Sequence, residues 1–139
     1  MGVVAMAKTL EDMLIEHEGK KLKAYVCTAG KATIGVGRNL DDVGITDDEA
    51  IYLLRNDIKR VQRELSGFRW FSEISQNRRN AVTDMCFNIG ITRFSQFKDM
   101  IAAIEAKDYE KAAAEMLNSR WASQVGKRAI TLANIMRVG

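Results

Sequence analysis

The chain has 139 residues, 47% of them hydrophobic and 28% charged, and a net charge of +3 at pH 7. This length and balance predict one folded domain with its own core and exclude a disordered or low-complexity protein. No run of about 18 apolar residues occurs, which excludes a membrane-spanning helix. The first residues lack the charged start and the apolar stretch of a secretory signal, so we expect a protein that is made in a cytoplasm.

The mild positive charge suits an anionic polymer as partner, whether nucleic acid or cell wall, although an ordinary solvated surface also explains it. Neither a helix-turn-helix signature nor an aromatic stacking motif is present, so we expect no nucleic-acid binding. Cys27 and Cys86 have neither CxxC spacing nor histidines at ligand spacing, which predicts no metal site and no cofactor. A disulfide between them stays open, although a cytoplasmic origin disfavours it.

The front of the chain predicts a helix followed by a small antiparallel ribbon. The helix covers residues 8–18, with Thr9 as N-cap, acidic residues in its first turn and Gly19 as its stop. The apolar period then shifts toward two over residues 22–37, with a turn around Gly30 between two short strands. The helix is predicted from residues that recur at helical spacing: Leu10, Met13, Leu14 and His17.

The rest of the chain predicts helices. Thr46 and Glu49 form a capping box that opens a helix over about residues 47–65, followed by Gly67. That helix carries a continuous apolar stripe, and its length of about 28 Å is enough to connect two lobes. We therefore expect an α+β, mostly helical fold, with the ribbon in a small front lobe and a helical lobe behind it. The remaining helices are predicted over residues 76–89 with Gly90 as C-cap, 93–106, 108–118 and 126–137.

Glu18 is a candidate proton donor. It stands in the last turn of its helix, where the negative end of the macrodipole favours the protonated carboxyl. A carboxyl that stays neutral near pH 7 can act as a general acid. Most glutamates in such positions are surface residues, so the position alone does not establish catalysis. The neighbouring His17 is expected to be packed or solvated rather than catalytic.

A spaced pattern begins at Glu18 and extends through most of the chain. Its first part is Glu18-Gly19, Leu22, Tyr25, Gly30 and Thr33-Ile34-Gly35-Val36-Gly37. Its later parts are Arg78-Arg79, Phe87-Asn88-Ile89-Gly90, Ser119-Arg120-Trp121 and Arg128. Together these segments resemble the phage-type lysozymes, glycoside hydrolase family 24. The resemblance implies a lysozyme-like fold and a muramidase that cleaves the β-1,4 bond between N-acetylmuramic acid and N-acetylglucosamine in peptidoglycan.

The resemblance also assigns roles to residues at the front of the chain. Glu18 matches the acid that protonates the leaving oxygen, and Thr33 matches the residue whose hydroxyl helps to hold the attacking water. In an inverting glycosidase the acid and the base stand about 6.5–9.5 Å apart, with that water between them. The family's second carboxylate should stand nine residues after Glu18, where this chain has Cys27. Arg38 replaces a histidine of the family, which allows an ion pair with Asp42 or Glu18.

Cys27 leaves three hypotheses open. Under the first, the chain is a hydrolase of much reduced activity, because a thiol is mostly protonated at pH 7 and is a weak base. Under the second, the Cys27 thiolate attacks the sugar itself and forms a covalent intermediate. Under the third, Cys27 fills space in a lysozyme-like protein that binds peptidoglycan without cleaving it. Asp41 and Asp42 lie on a different loop and are not expected to replace the missing base.

Three polar residues of the second lobe match positions that line the family's substrate cleft: Asn88, Arg120 and Arg128. The resemblance implies that they bond to acetamido and lactyl groups and pair with carboxylates of the peptide stem. By residue type alone, a surface ion pair is the alternative for each arginine, and a bond at a helix C-terminus is the alternative for the asparagine. The aromatic residues Phe94, Phe97 and Trp121 are expected to be core rather than sugar platforms.

The resemblance implies one lysozyme-like domain over residues 1–139. The small lobe covers about residues 19–46, a linking helix about 47–65, and the helical lobe about 68–139 together with the N-terminal helix. The implied function is that of an endolysin, a monomer that lyses a bacterial host for its phage. It would pass from the host cytoplasm to the periplasmic wall through a separate membrane-permeabilising protein, without stable membrane association of its own. The alternative is a catalytically disabled protein of the same fold that binds peptidoglycan.

Overall fold

The computed structural model describes residues 8–139, which form seven α-helices and one three-stranded antiparallel sheet with strand order β1-β2-β3. The predicted α+β, mostly helical class with a small N-terminal sheet is therefore confirmed. A short 3-10 helix, Arg69–Ser72, follows α2, and no helix within residues 8–139 is long and apolar enough to cross a membrane. The elements are α1 Leu10–Glu18, β1 Lys21–Val26, β2 Ala32–Gly35, β3 Arg38–Asn39, α2 Asp47–Leu65, α3 Gln76–Ser95, α4 Lys98–Glu105, α5 Tyr109–Leu117, α6 Arg120–Val125 and α7 Lys127–Val138.

The chain divides into two compact units, and the boundary falls inside α2, between Ile51 and Tyr52. Among residues 8–51, Thr33 is the only fully buried residue. Every fully buried apolar side chain of the described residues lies instead between Val61 and Met136, in the second unit. The first unit is thus a small sheet with little core of its own, whereas the second is a helical unit built around a continuous apolar core.

The predicted helix caps at the front of the chain are confirmed. Thr9 accepts a bond from the Asp12 N–H at 3.0 Å, and Gly19 closes α1 by donating its N–H to the carbonyl oxygen of Ile15 at 2.8 Å. At the start of α2, Glu49 donates its N–H to the Thr46 hydroxyl at 3.2 Å and accepts the Thr46 N–H at 2.9 Å. These reciprocal bonds are the predicted capping box.

The predicted apolar stripe of α2 is buried only at its end. Val61 and Leu65 are buried, but Leu53 and Leu54 remain 51% and 41% exposed. The reason is that the packed core of the second unit starts at Val61, so the earlier apolar positions of the helix have no core to face within that unit.

Gly90 interrupts α3 as the sequence predicts. The helix runs Gln76–Ser95, but Gly90 adopts φ 83° and ψ 158°, a conformation open to glycine and costly for other residues. The chain is helical again up to Ser95, so the helix predicted over residues 93–106 is divided between the end of α3 and α4, which starts at Lys98. Three elements were not predicted, namely β3, the 3-10 helix and α6, because two to six residues are too few to show a period.

Arg78 fastens α3 to the end of α7. Its Nε donates to the carbonyl oxygen of Met136 at 2.7 Å, and its Nη2 donates to that of Arg137 at 3.2 Å. The guanidinium also lies 3.5 Å from the centre of the Tyr109 ring. A positive charge at a helix C-terminus is favourable, because the last carbonyl groups of the helix have no partners within it.

Replacement of Arg78 tests this fastening. We expect Arg78→Lys to lower the free energy of unfolding by about 1–3 kcal/mol, since lysine keeps the charge but loses the planar fork and the ring stacking. Urea denaturation measures the loss. Arg93→Lys, at an exposed position of the same helix, is the matched control. Equal stability of the two variants would contradict the role given to Arg78.

Candidate active site

Glu18 lies against the tip of the hairpin that joins β2 to β3. It is the last residue of α1 and is exposed, and its carboxylate faces Gly37. A Cβ atom at Gly37 would come within 3.0 Å of the Glu18 Oε2 atom and 3.3 Å of its Cδ atom. Gly37 also has φ 70°, a backbone conformation that favours glycine. The hairpin tip and the end of α1 therefore form one local arrangement.

Cys27 lies in the turn at the opposite end of β2. Its N–H donates to the Lys31 carbonyl oxygen at 2.9 Å, and its own carbonyl oxygen accepts the Gly30 N–H at 2.9 Å. The backbone N–H groups of Lys31 and then Ala29, followed by the Thr33 hydroxyl, lower the pKa of the half-buried Cys27 thiol below its ordinary value. The turn thus directs hydrogen-bond donors at the sulfur, which favours the thiolate.

Thr33 is 4% exposed and lies beside Cys27, across the ribbon from Tyr25. Its hydroxyl carries a single proton, which it donates to the Lys31 carbonyl oxygen at 2.9 Å. To donate to the thiolate instead, the hydroxyl would have to rotate away from that oxygen. The buried hydroxyl and the thiol therefore share one turn of the chain.

The strand β2 separates these two groups from Glu18. The strand has four residues, so it spans about 10 Å at about 3.3 Å per residue. Cys27 and Thr33 belong to its first end, and the hairpin tip that Glu18 touches follows its last residue. Of the three predicted catalytic residues, Cys27 and Thr33 lie together at the first end of β2, and Glu18 contacts the hairpin tip that follows its other end.

Arg38 pairs with a residue that the sequence did not suggest. Its Nη1 donates to the Glu49 Oε1 atom at 2.8 Å and to the Gly44 carbonyl oxygen at 3.0 Å. The predicted partners were Asp42 and Glu18. Asp42 is engaged instead by the Lys31 ammonium at 3.3 Å and the Asn39 side-chain amide at 2.9 Å. Arg38 therefore ties the hairpin tip to the first turn of α2.

Asp41 and Asp42, which were not expected to replace the missing base, both accept hydrogen bonds from residues in and around the sheet. Asp41 accepts the Ala32 N–H at 2.9 Å through its Oδ2 atom. Asp42 accepts from Asn39 and Lys31, and its own N–H donates to the Asn39 side-chain oxygen at 2.9 Å. No group of three His, Cys, Asp or Glu residues within residues 8–139 is placed to hold a metal ion.

In the second unit, two of the three predicted cleft residues have partners within that unit. The Asn88 side-chain oxygen accepts the indole N–H of the buried Trp121 at 2.8 Å. Arg128 donates from Nε to the Asp84 carboxylate at 2.7 Å and from Nη2 to the Asp84 carbonyl oxygen at 3.2 Å. Asp84 and Arg128 line a cleft of about 360 Å³. The third, Arg120, is exposed in the first turn of α6.

Sequence reasoning missed Asp84, because it stands 44 positions before its partner and no local pattern connects the two. It also missed Glu49 as a partner of Arg38, although the capping box had already singled out Glu49.

The two cysteines should differ in reactivity. Burial raises the pKa of the Cys86 thiol to about 11, whereas the turn lowers that of Cys27. We expect a disulfide-exchange reagent to label one thiol per folded chain at pH 8 and both thiols in denaturant. Cys27→Ser should remove the native reaction and Cys86→Ser should keep it. Native labelling that survives Cys27→Ser would contradict this assignment.

The Arg38–Glu49 pair predicts a pH-dependent stability. The Arg38 guanidinium and then the Thr46 N–H lower the pKa of Glu49 from 4.5 to about 2. Because the folded pKa is depressed, the stabilisation is present above about pH 4.5 and is lost as the pH falls toward 2. We expect the melting temperature of the parent to exceed that of Glu49→Gln at pH 6, with the difference shrinking on acidification. A difference that stays constant down to pH 2 would refute the linkage.

Comparison with known proteins identifies the family. The sequence model of the phage lysozyme family matches residues 15–136. The "Probable T4-type lysozyme 2" of Dictyostelium discoideum is 28% identical over 96% of this chain and 96% of its own length. The endolysin of Acyrthosiphon pisum secondary endosymbiont phage 1 is 35% identical over 84% of this chain and 80% of its own. The endolysin of Salmonella phage P22 is 30% identical over 72% and 73%. The chain therefore belongs to the phage lysozyme family.

Proposed function

We propose that this protein is a peptidoglycan hydrolase that cleaves the β-1,4 bond between N-acetylmuramic acid and N-acetylglucosamine during lysis of a bacterial host. Membership of the phage lysozyme family supports the general assignment to the glycosidases. One observation carries the specific proposal: a carboxyl at one end of β2 and a thiol with a buried hydroxyl at the other. A glycosidase needs an acid beside the leaving oxygen and a second group that acts as base or nucleophile at the anomeric carbon.

Glu18 acts as the general acid in this proposal. It donates a proton to the leaving glycosidic oxygen as the bond to the anomeric carbon breaks. Its exposed position against a glycine leaves room for a sugar beside the carboxyl. Because the carboxyl and the thiol belong to opposite ends of β2, we propose a route in which water rather than the sulfur attacks the anomeric carbon.

Cys27 takes the place of the base that accepts a proton from that water, with the Thr33 hydroxyl holding the water. The hydrogen-bond donors of the turn lower the pKa of the Cys27 thiol, so a larger fraction of it is thiolate than in an ordinary cysteine. A protonated thiol is a weak base and binds water less well than a carboxylate does. We therefore propose a slow hydrolase rather than a fast one.

The covalent route remains the second mechanism for Cys27. In that route the sulfur forms a bond to the anomeric carbon while the glycosidic C–O bond breaks and Glu18 protonates the leaving oxygen. Water then cleaves the C–S bond and releases the sugar. The lowered pKa of the thiol favours such an attack.

Arg120 and Arg128 are proposed to contact the acetamido, lactyl and stem-peptide groups of the wall, together with Asn88. Arg120 is exposed, and Arg128 lines a cleft in its own unit, which supports contact with a ligand. Asn88 shares its side-chain oxygen with Trp121, so its amide nitrogen is the atom left for substrate. We further propose that the protein acts as a monomer and reaches the periplasmic wall from the host cytoplasm through a separate permeabilising protein.

The second candidate function is peptidoglycan binding without hydrolysis, and the cysteine at the base position favours it. Turbidity of chloroform-treated Gram-negative cells separates the two candidates. We expect slow lysis by the parent, faster lysis by Cys27→Asp, and at least a hundredfold loss in Glu18→Gln, because a general acid contributes roughly 10²–10⁴ in rate.

Glu105→Gln, an exposed substitution in the helical unit with the same change of charge, should lyse like the parent. A silent parent with an active Cys27→Asp variant would support the disabled protein, and lysis unchanged by Glu18→Gln would refute the role of Glu18. The anomeric form of the product separates the two enzymatic routes. Inversion indicates attack by water, whereas retention with a glycosyl-thiol adduct in the mass spectrum indicates the covalent route.

A further inference from the structure

The hairpin tip that touches Glu18 carries one charged residue, Arg38. The tip consists of Gly35, Val36, Gly37 and Arg38, and the Glu18 carboxylate lies against Gly37. Consecutive Cα atoms are about 3.8 Å apart, so a free side chain at position 38 has ample length to reach that carboxylate. An opposite charge at such a distance favours the ionised carboxylate. An unrestrained Arg38 would therefore deprive a general acid of its proton.

The structure restrains Arg38. Its Nη1 atom donates to the Glu49 carboxylate at 2.8 Å and to the Gly44 carbonyl oxygen at 3.0 Å. Glu49 is itself held in place, because the same Oε1 atom accepts the Thr46 N–H at 2.9 Å. Glu49 also occupies the first turn of α2, where the helix dipole favours a negative charge. The guanidinium is thus bound to an anion that belongs to a rigid helix cap.

We propose that Glu49 is a positioning residue that holds the Arg38 guanidinium away from the Glu18 carboxyl. The inference rests on the proposed role of Glu18 as general acid. Glu49 acts through Arg38 and touches no substrate. Its contribution is to neutralise the one cation of the hairpin tip and to fix the direction in which that cation points.

The other charged groups near Glu18 in the chain are not members of the Arg38–Glu49 pair. On its own element Glu18 follows His17, and Lys20 and Lys21 come immediately after the helix. Gly37 of the hairpin tip lies against Glu18, and Arg38 is the sole charged residue of that tip. A variant at position 49 therefore changes the field at Glu18 through Arg38.

Carbon-13 NMR of labelled glutamate carboxyls tests the proposal without relying on activity. Glutamine also serves in a capping box, so Glu49→Gln keeps the cap while it removes the counter-charge of Arg38. We expect the titration midpoint of the Glu18 carboxyl, assigned by its loss in Glu18→Gln, to move to lower pH by on the order of one unit. The double variant Arg38→Met/Glu49→Gln should return the midpoint to that of the parent, and the control Glu105→Gln should leave it unchanged.

Two results would overturn the proposal. One is an unshifted Glu18 midpoint in a Glu49→Gln variant whose melting curve shows that it is folded. The other comes from Arg38→Met alone, which leaves Glu49 in place: a midpoint that rises by about a unit would show that Arg38 already acts on Glu18. Both results come from titration and not from lysis. Lysis unchanged by Glu18→Gln would instead refute the proposed function, and it would not alter the measured titration midpoints.

Discussion

Hydrogen bonds to the main chain hold the candidate site together, because Thr33 is the only fully buried residue among residues 8–51. Thr33 bonds to the carbonyl oxygen of Lys31 in the turn before β2. Asp41 accepts the N–H of Ala32 at the edge of that strand, and Arg38 bonds to a carbonyl oxygen in the loop after β3. The geometry of the site therefore depends on a few hydrogen bonds rather than on apolar packing.

Main-chain geometry also gives the two ends of β2 different surroundings. At the first end, the turn concentrates backbone N–H groups around the Cys27 sulfur and stabilises its negative charge. At the other end, Gly37 leaves room for the Glu18 carboxyl, and the Arg38 guanidinium of the same hairpin tip is paired with Glu49. The proposed roles of Cys27 as base and Glu18 as acid rest on these different surroundings.

Local signals in the sequence predicted much of the fold. Helix caps join residues only three or four positions apart, so they can be read from the sequence. The structure has the predicted caps at both ends of α1 and at the start of α2. Phe94 and Trp121 are fully buried, as expected of core residues, and Phe97 packs against the core. The partners of Arg38 and Arg128 could not be predicted in this way, since they lie 11 and 44 positions away and depend on how elements pack. Glu18, Cys27 and Thr33 were selected by family resemblance, and their roles stay predictions.

The uneven distribution of buried side chains also bears on how the molecule responds to heat. The heat capacity of unfolding rises with the apolar surface that becomes hydrated. Since the fully buried apolar residues of the described chain lie between Val61 and Met136, calorimetry would report almost entirely on the helices. Loosening of the three strands would pass nearly unseen in such a trace, even though it would scatter the groups on which the chemistry depends.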